Sequence, residues 1–456
     1  MLLSDYKRPA LLVTTLGAFL IPFMGSSVNI ALPSIGKEFA MDAILLGWVT
    51  TSYLLSVAMF LIPFGRMADI HGRKKLFLYG FIVYTVSSLF CAFSTSPLFL
   101  ISFRILNGIG ASMTASTGVA ILTSIYPPGE RGKVLGINVA AVYSGLSCGP
   151  FFGGLLTQYF GWRSIFFSNI PLGLLIVLVT IWKLKGEWTE AKGEKFDVLG
   201  SILFSITLIM IMYGLSMLPV AWGFGFLFLG ALGIVAFAKW EMKTTSPIFE
   251  MDLFKKNRVF AFSNLAALIH YGATFAVTFL MSLYLQFIKG LNPQNAGLIL
   301  IAQPIVQAFF SPLAGRVSDR IEPRMVASIG MGLTALGLFL FIFLDQGTST
   351  IFIIGSLLLI GLGFALFSSP NTNAVMGSVE KRFYGVASGT LGTMRATGMM
   401  FGMGMVMMIF AIFIGRTQIT LAYYPLFMKS VKVAFTISTG LCVAGIFASL
   451  SRGRLR

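Results

Sequence analysis

GRMADIHGRKK, residues Gly65–Lys75, is a polar segment between two long apolar stretches, and GRVSDR at Gly315–Arg320 echoes part of it. A short cationic connection with one embedded carboxylate, present in two halves of an apolar chain, indicates two similar helical bundles hinged against each other. Gly65 and Gly72 let two helix ends approach closely. Asp69 can accept hydrogen bonds from a facing helix N-terminus or pair with Arg73, beside Lys74. Contacts of this kind hold one bundle against the other in one state and break in the next. Positive charge at a membrane surface accounts for Arg66 and Lys75, but not for the spaced glycines and aspartate. Gly315, Arg316, Asp319 and Arg320 form the weaker counterpart.

The rest of the chain agrees. Its 456 residues are 56% hydrophobic and 11% charged, with mean hydropathy +0.87. A soluble domain carries roughly a quarter charged residues. Apolar stretches of about 20 residues recur along the whole length, which makes this an all-α polytopic membrane protein. A β-barrel would show short alternating segments, and none are seen. Fourteen spans are predicted: 10–33, 43–64, 76–94, 98–122, 134–158, 164–182, 198–219, 222–239, 259–285, 297–315, 325–344, 350–373, 384–414 and 430–450. They fall into six spans (1–183), two inserted spans with polar flanks (184–258), then six more (259–456). The opening MLLSDYKRPA has no cleavage site after a short apolar core, so the first apolar segment is expected to be a retained span.

An even number of spans places both termini on one side. The connections on that side hold 25 of the 33 Lys and Arg, the opposite ones six, and Arg104 and Arg395 lie inside spans. By the positive-inside rule the termini are expected in the cytoplasm. The net charge of +17 therefore faces anionic lipid rather than nucleic acid. No phosphate-binding G-x-x-x-x-G-K-[ST] loop is present, which argues against transport powered directly by ATP. Cys91, Cys148 and Cys442 all lie in apolar stretches and are read as small buried hydrophobes rather than a disulfide framework. The methionines of MMFGMGMVMM (399–408) spread around a helix without Cys or His beside them. Adaptable packing explains them better than Cu(I). No metal site, cofactor site or catalytic set is expected, and His71 is read as a solvated loop residue.

Arg104, in ISFRILNGIGASMTASTG, is a guanidinium at membrane depth. Such a group is costly and marks a functional candidate. It can bind an anionic substrate, tune a neighbour or organise a polar network with Asn107; the plainer reading is snorkelling to the interface. Arg395, in GTLGTMRATGMMFG, is its counterpart in the second half. In GLSCGPFFGGLL, glycines at Gly145, Gly149, Gly153 and Gly154 give one helix face a smooth groove for close packing, and Pro150 adds a kink.

Taken together these motifs resemble the major facilitator superfamily, specifically its 14-span drug:proton antiporters. GRMADIHGRKK is similar to the connection between spans 2 and 3. The pattern around Arg104 and Gly108 is similar to the span 4 signature, and GLSCGPFFGG to the antiporter signature. GWRSIFFSNIPLG, with Trp162, Arg163, Phe166, Asn169, Pro171 and Gly173, resembles the span 5–6 junction, and VNIALPSI, with Asn29 and Pro33, the first-span signature. The resemblance runs from about residue 10 to 450. It implies two pseudo-symmetric six-helix bundles around a central cavity, two peripheral helices, alternating access in the cell membrane, and export of hydrophobic, often cationic, small molecules against inward proton flow. A monomer is the family-like expectation.

One position departs from that pattern. Where the family carries an aspartate five residues before Asn29, this chain has Met24. No Asp or Glu lies deep in any span: Asp42 and Asp197 sit near span ends and Asp345 in a connection. The remaining titratable candidate is His270, next to Tyr271, read as a proton site, a substrate contact or a neutral interhelical histidine. Asn264, Gln286, Gln303, Gln307, Asn371 and Asn373 are candidate cavity groups or interhelical hydrogen bonders. Three functions are weighed: a proton-coupled exporter of amphipathic small molecules; an uncoupled uniporter or organic-anion exchanger using Arg104 and Arg395; and, remotely, a membrane enzyme or sensor.

Overall fold

The computed structural model of the chain describes residues 4–244, 247–249, 251–380 and 384–453. Within them are the fourteen spans the sequence predicts. The first bundle holds α1 (Tyr6–Glu38), α2 (Ala43–His71), α3 (Arg73–Ala92), α4 (Pro97–Ile125), α5 (Lys133–Phe160) and α6 (Arg163–Lys183). The inserted pair is α7 (Val198–Met217) and α8 (Ala221–Glu241). The second bundle holds α9 (Arg258–Ile288), α10 (Pro293–Ser318), α11 (Pro323–Phe343), α12 (Thr350–Gly377), α13 (Tyr384–Phe413) and α14 (Leu421–Ser451).

Helix starts coincide with polar caps. Asp42 accepts the Leu45 amide, Ser96 that of Phe99, Asp197 that of Gly200, Asn257 that of Phe260 and Asn292 that of Asn295. Each cap supplies a partner for a first-turn amide that has none inside its own helix. Asp197 also accepts the Trp240 indole N–H at 2.9 Å, which ties the base of α7 to the end of α8.

The connection expected at Gly65–Lys75 is mostly helix. α2 continues through Arg66 and Asp69 to His71, and the chain turns at Gly72 alone, with φ +122°, before α3 begins at Arg73. Polar residues at the membrane surface resemble a loop in sequence, yet the helical hydrogen bonds persist until a residue adopts positive φ. The echo behaves alike: α10 runs through Gly315 and Arg316 to Ser318.

The two bundles repeat one plan. In the first, α1 packs on α5 and α6, α4 on α2 and α3, and α3 on α6. In the second, α9 packs on α13 and α14, α12 on α10 and α11, and α11 on α14. The seam shows the same symmetry: α2 meets α13, and α10 meets α5. α7 lies along the α2–α13 side of this seam, where Met212 and Leu215 crowd Gly404, while α8 packs on α7 and is the least buried span.

Candidate functional site

The seam between the bundles is closed on the side away from the termini. Ser282 donates to the Asn29 carbonyl at 2.7 Å and Gln286 to that of Ile30 at 2.9 Å, joining α9 to α1. The Ala43 amide reaches the Thr417 carbonyl at 3.0 Å, and Gln418 reaches that of Ala40 at 2.9 Å. Glycines allow the helices to touch. A Cβ on Gly154 would stand 2.5 Å from the Pro293 carbonyl oxygen, one on Gly297 would strike that of Pro150, and one on Gly47 would stand 2.9 Å from Met407. Gly145, Gly149 and Gly153 face the other way, onto Phe19, Phe23, Ser26 and Ser27 of α1. The glycine-rich stretch thus serves two contacts: α5 to α1 within a bundle, and α5 to α10 across the seam.

Toward the terminal side these ties thin out. Among the described residues a hydrogen-bonding tie at mid-depth is Tyr143 on α5, whose hydroxyl lies 3.3 Å from Ser368 Oγ on α12, and Leu61 of α2 packs near Gly392 of α13. Tyr271 on α9 lies 3.3 Å from the same Ser368 oxygen. Arg395 on α13 stands over the Tyr271 ring, 5.5 Å from its centroid, and its Nη2 donates to Thr372 Oγ1 at 2.6 Å. Its Nε is buried without a hydrogen-bond partner, and no carboxylate is within ion-pair distance of it among the described residues. Arg395 and Tyr271 were legible candidates. Tyr143, Ser368 and Thr372 were not, since a hydroxyl in an apolar run does not reveal which way its helix is rotated.

Arg104 has a different setting. It is 1% exposed, donates from Nε to the Val49 carbonyl at 3.1 Å and from Nη1 to Asn107 Oδ1 at 3.0 Å, and lies over the Tyr53 ring. Asn107 in turn donates to Ser88 Oγ at 3.1 Å, and that hydroxyl faces Met24 Sδ at 3.8 Å. Met24 therefore ends a polar chain leading to the arginine. Next to Val49, Thr50 bonds Asn29 and Thr51 bonds Met407 across the seam. Of the roles open to Arg104, this geometry fits the organiser of a polar network that braces α2 at the closed side. Arg104→Lys loses the planar fork, and unpairing these buried acceptors costs about 1–3 kcal/mol. A lowered thermal midpoint in detergent and slower transport are expected, whereas an unchanged midpoint would remove the bracing role.

His270 lies inside the second bundle, fully buried, tilted against Phe367 at 4.0 Å between centroids and close to Phe364. Its Nδ1 is 3.9 Å from Cys442 Sγ, and its Nε2 has no hydrogen-bond partner. Asn264 bonds back to its own helix at Phe260. Gln307 is buried on α10 and Gln303 is half-buried. Asn371 donates to the Ser263 carbonyl and accepts from Arg452, a buried residue just past α14 that the sequence reading passed over. Burial pushes the Arg452 guanidinium down to about 10, so it stays charged at neutral pH.

At the terminal side, Arg73 is the hub of the α2–α3 corner. It is 5% exposed and bonds Asp69 Oδ1 at 2.7 Å, Ser124 Oγ at 2.6 Å and Glu190 Oε1 at 2.7 Å. Glu190 belongs to the strap between α6 and α7, and more of that strap docks here. Glu187 accepts the Lys74 and Lys75 amides at 2.7 and 3.2 Å, capping the N-terminus of α3 where negative charge is favoured. Glu194 pairs with Arg66, the Ala191 amide reaches the Asp69 carbonyl, and the Arg73 amide reaches that of Trp188. The strap acids, spaced three and four apart, were a visible signal that sequence reasoning left unused. In the second bundle, Asn373 donates to Ser318 Oγ at 2.7 Å and lies 3.5 Å from Asp319 Oδ1, Gly315 abuts Ser369, and Arg320 is exposed. Among the described residues no group of three or more His, Cys, Asp or Glu is arranged to hold a metal.

A family model described as the Major Facilitator Superfamily matches residues 14–403 and again residues 263–454. Riboflavin transporter RibZ of Clostridioides difficile is 29% identical over 447 residues, 97% of each chain. Multidrug resistance protein Stp of Mycobacterium tuberculosis is 30% identical over 413 residues, covering 89% of this chain and 76% of that protein. The tetracenomycin C resistance and export protein of Streptomyces glaucescens is 29% identical over 394 residues, covering 84% and 72%. A crystal structure of a bacterial homologue of the human lysosomal transporter Spinster, inward-facing and occupied, matches with TM-score 0.68 at 18% identity over 98% of this chain and 97% of its own. At that identity the likeness is one of fold.

Proposed function

Because the chain belongs to the major facilitator superfamily and is therefore an integral membrane transporter rather than an enzyme, we propose that it exports amphipathic organic molecules from the cytoplasm by alternating access, driven by inward proton flow. The observation that carries this reading is the seam. Backbone-to-backbone contacts through Gly154 and Gly297 close one side, while polar ties between bundles thin out toward the other. The side with fewer such ties carries the termini and most of the Lys and Arg, so we place it in the cytoplasm, facing the anionic leaflet of the cell membrane. The chain would thus be poised to take solute from the cell interior, working as a monomer. Relatives named for multidrug resistance and for tetracenomycin C export support the direction.

A second reading, uncoupled passage of an organic anion, is favoured by the lack of any Asp or Glu deep in a span. His270, the histidine weighed as a proton site, is walled in by Phe364 and Phe367. The two readings separate in liposomes containing the purified chain. Accumulation of an amphipathic dye that collapses when nigericin abolishes the pH gradient supports coupling. Flux that survives nigericin leaves the uncoupled reading in its place. No flux of any dye removes the exporter reading itself.

A further inference from the structure

Arg395 and its surroundings form a site that the exporter reading does not specify. The residue lies eleven positions into the 30-residue α13, about one turn short of the helix midpoint, and so inside a hydrocarbon layer about 30 Å thick. A cation at that depth carries a desolvation cost that persists only where something uses the charge. Arg104 spends its charge within the first bundle, on Val49, Asn107 and Tyr53. Arg395 does not. It is half-buried, Thr372 takes one of its donors, its Nε is unpartnered, and among the described residues no carboxylate pairs with it. A guanidinium offers five N–H donors in a planar fork suited to a carboxylate or another planar anion.

Three hydroxyls, those of Tyr271, Ser368 and Tyr143, form a chain that reaches this fork through the Tyr271 ring. All three can donate to an anion, and the two tyrosine rings offer flat apolar faces. Tyr143 comes from the first bundle and the others from the second. The same Ser368 oxygen is shared by both tyrosines at 3.3 Å, a long contact for hydroxyl groups. An anion seated on Arg395 and reached by Tyr143 would replace that weak tie with charge-assisted bonds spanning the seam. A cationic solute would find no carboxylate here and would meet like charge.

We propose that Arg395, Tyr271, Ser368, Thr372 and Tyr143 form the substrate site and that it takes aromatic organic acids, the acidic group on Arg395 and the ring between the two tyrosines. This rests on the exporter reading for its setting, but the binding claim is separable. The probes are fluorescein, an aromatic anion, and rhodamine 6G, an aromatic cation of similar size. Both are tested for binding by fluorescence polarisation in detergent and for flux in liposomes. The native chain is expected to bind fluorescein. Arg395→Gln should weaken that binding at least tenfold, with Arg395→Lys in between and Tyr143→Phe weakening it several-fold. Each variant is compared with the native chain for thermal midpoint and elution volume, so that misfolding is recognised. Rhodamine 6G should gain or hold affinity in Arg395→Gln. Fluorescein binding within twofold of native in folded Arg395→Gln, no fluorescein binding by the native chain, or carriage of rhodamine 6G alone would overturn the site. Carriage of rhodamine 6G alone would leave the exporter standing. Binding that depends on Arg395 with no flux of either dye would instead retain the site and remove the exporter.

Discussion

Gly297→Leu is expected to abolish transport while leaving a folded, membrane-inserted chain. A Cβ at this position runs into the Pro150 carbonyl, which is backbone and has no rotamer by which to yield. Overpacking of this kind costs about 1–3 kcal/mol. α10 can avoid it only by moving away from α5. The α5–α10 contact belongs to the side of the seam closed in this structure, so the penalty falls on this state and not on one in which the two helices separate. Three kcal/mol shifts a two-state equilibrium by about 150-fold. The readout is Ser282→Cys, buried under the closed side where Ser282 meets the Asn29 carbonyl. Labelling of this cysteine by a membrane-impermeant maleimide from outside should rise at least tenfold when Gly297→Leu is added. Labelling and transport both equal to those with glycine would mean that α5 and α10 do not form the outer closure. Gly154→Leu, against the Pro293 carbonyl, should repeat the result from the opposite helix.

Neutralising the strap should shift the equilibrium from the other end. Glu187, Glu190 and Glu194 hold the α3 N-terminus, Arg73 and Arg66 respectively. Exposed pairs of this kind contribute at most about 1 kcal/mol each, but Arg73 is buried and the three act on one corner. With the strap docked, Asp69 and Arg73 are engaged by it and by each other rather than by the second bundle. The triple variant Glu187→Gln, Glu190→Gln, Glu194→Gln should leave the corner free to meet the second bundle and so favour closure of the basic side. The same shift is expected of the native chain in 1 M salt, where surface pairs are screened. Transport by the triple variant should lose most of its salt dependence. Equal salt dependence in native and variant would show that the strap is a passive connector.

The fold was largely legible because apolar stretches of membrane length and the asymmetry of Lys and Arg are written directly in the sequence. The α2–α3 corner was the instructive miss. Arg66, Met67, Ala68 and Asp69 look like loop chemistry, but nothing before Gly72 breaks the helix, and only that residue takes positive φ. The candidate site was legible in its charges and obscure in its geometry. Arg104 and Arg395 stand out equally as cations in apolar runs. What separates them is what each meets, the Val49 carbonyl, Asn107 and Tyr53 for Arg104 and Thr372 and Tyr271 for Arg395, and helix rotation is set by packing that one sequence does not expose. The same holds for His270, whose aromatic walls come from α12 and whose thiol neighbour comes from α14.

The account depends on the two bundles rocking about the seam, and distances across both faces test that most directly. Spin labels at Lys37→Cys with Gln346→Cys would report the closed side, and labels at Lys75→Cys with Ile321→Cys the basic side, in the chain reconstituted with and without fluorescein and a pH gradient. The expected result is reciprocal motion, one pair lengthening as the other shortens by several ångströms. Both pairs fixed under every condition, or both moving in the same direction, would contradict it.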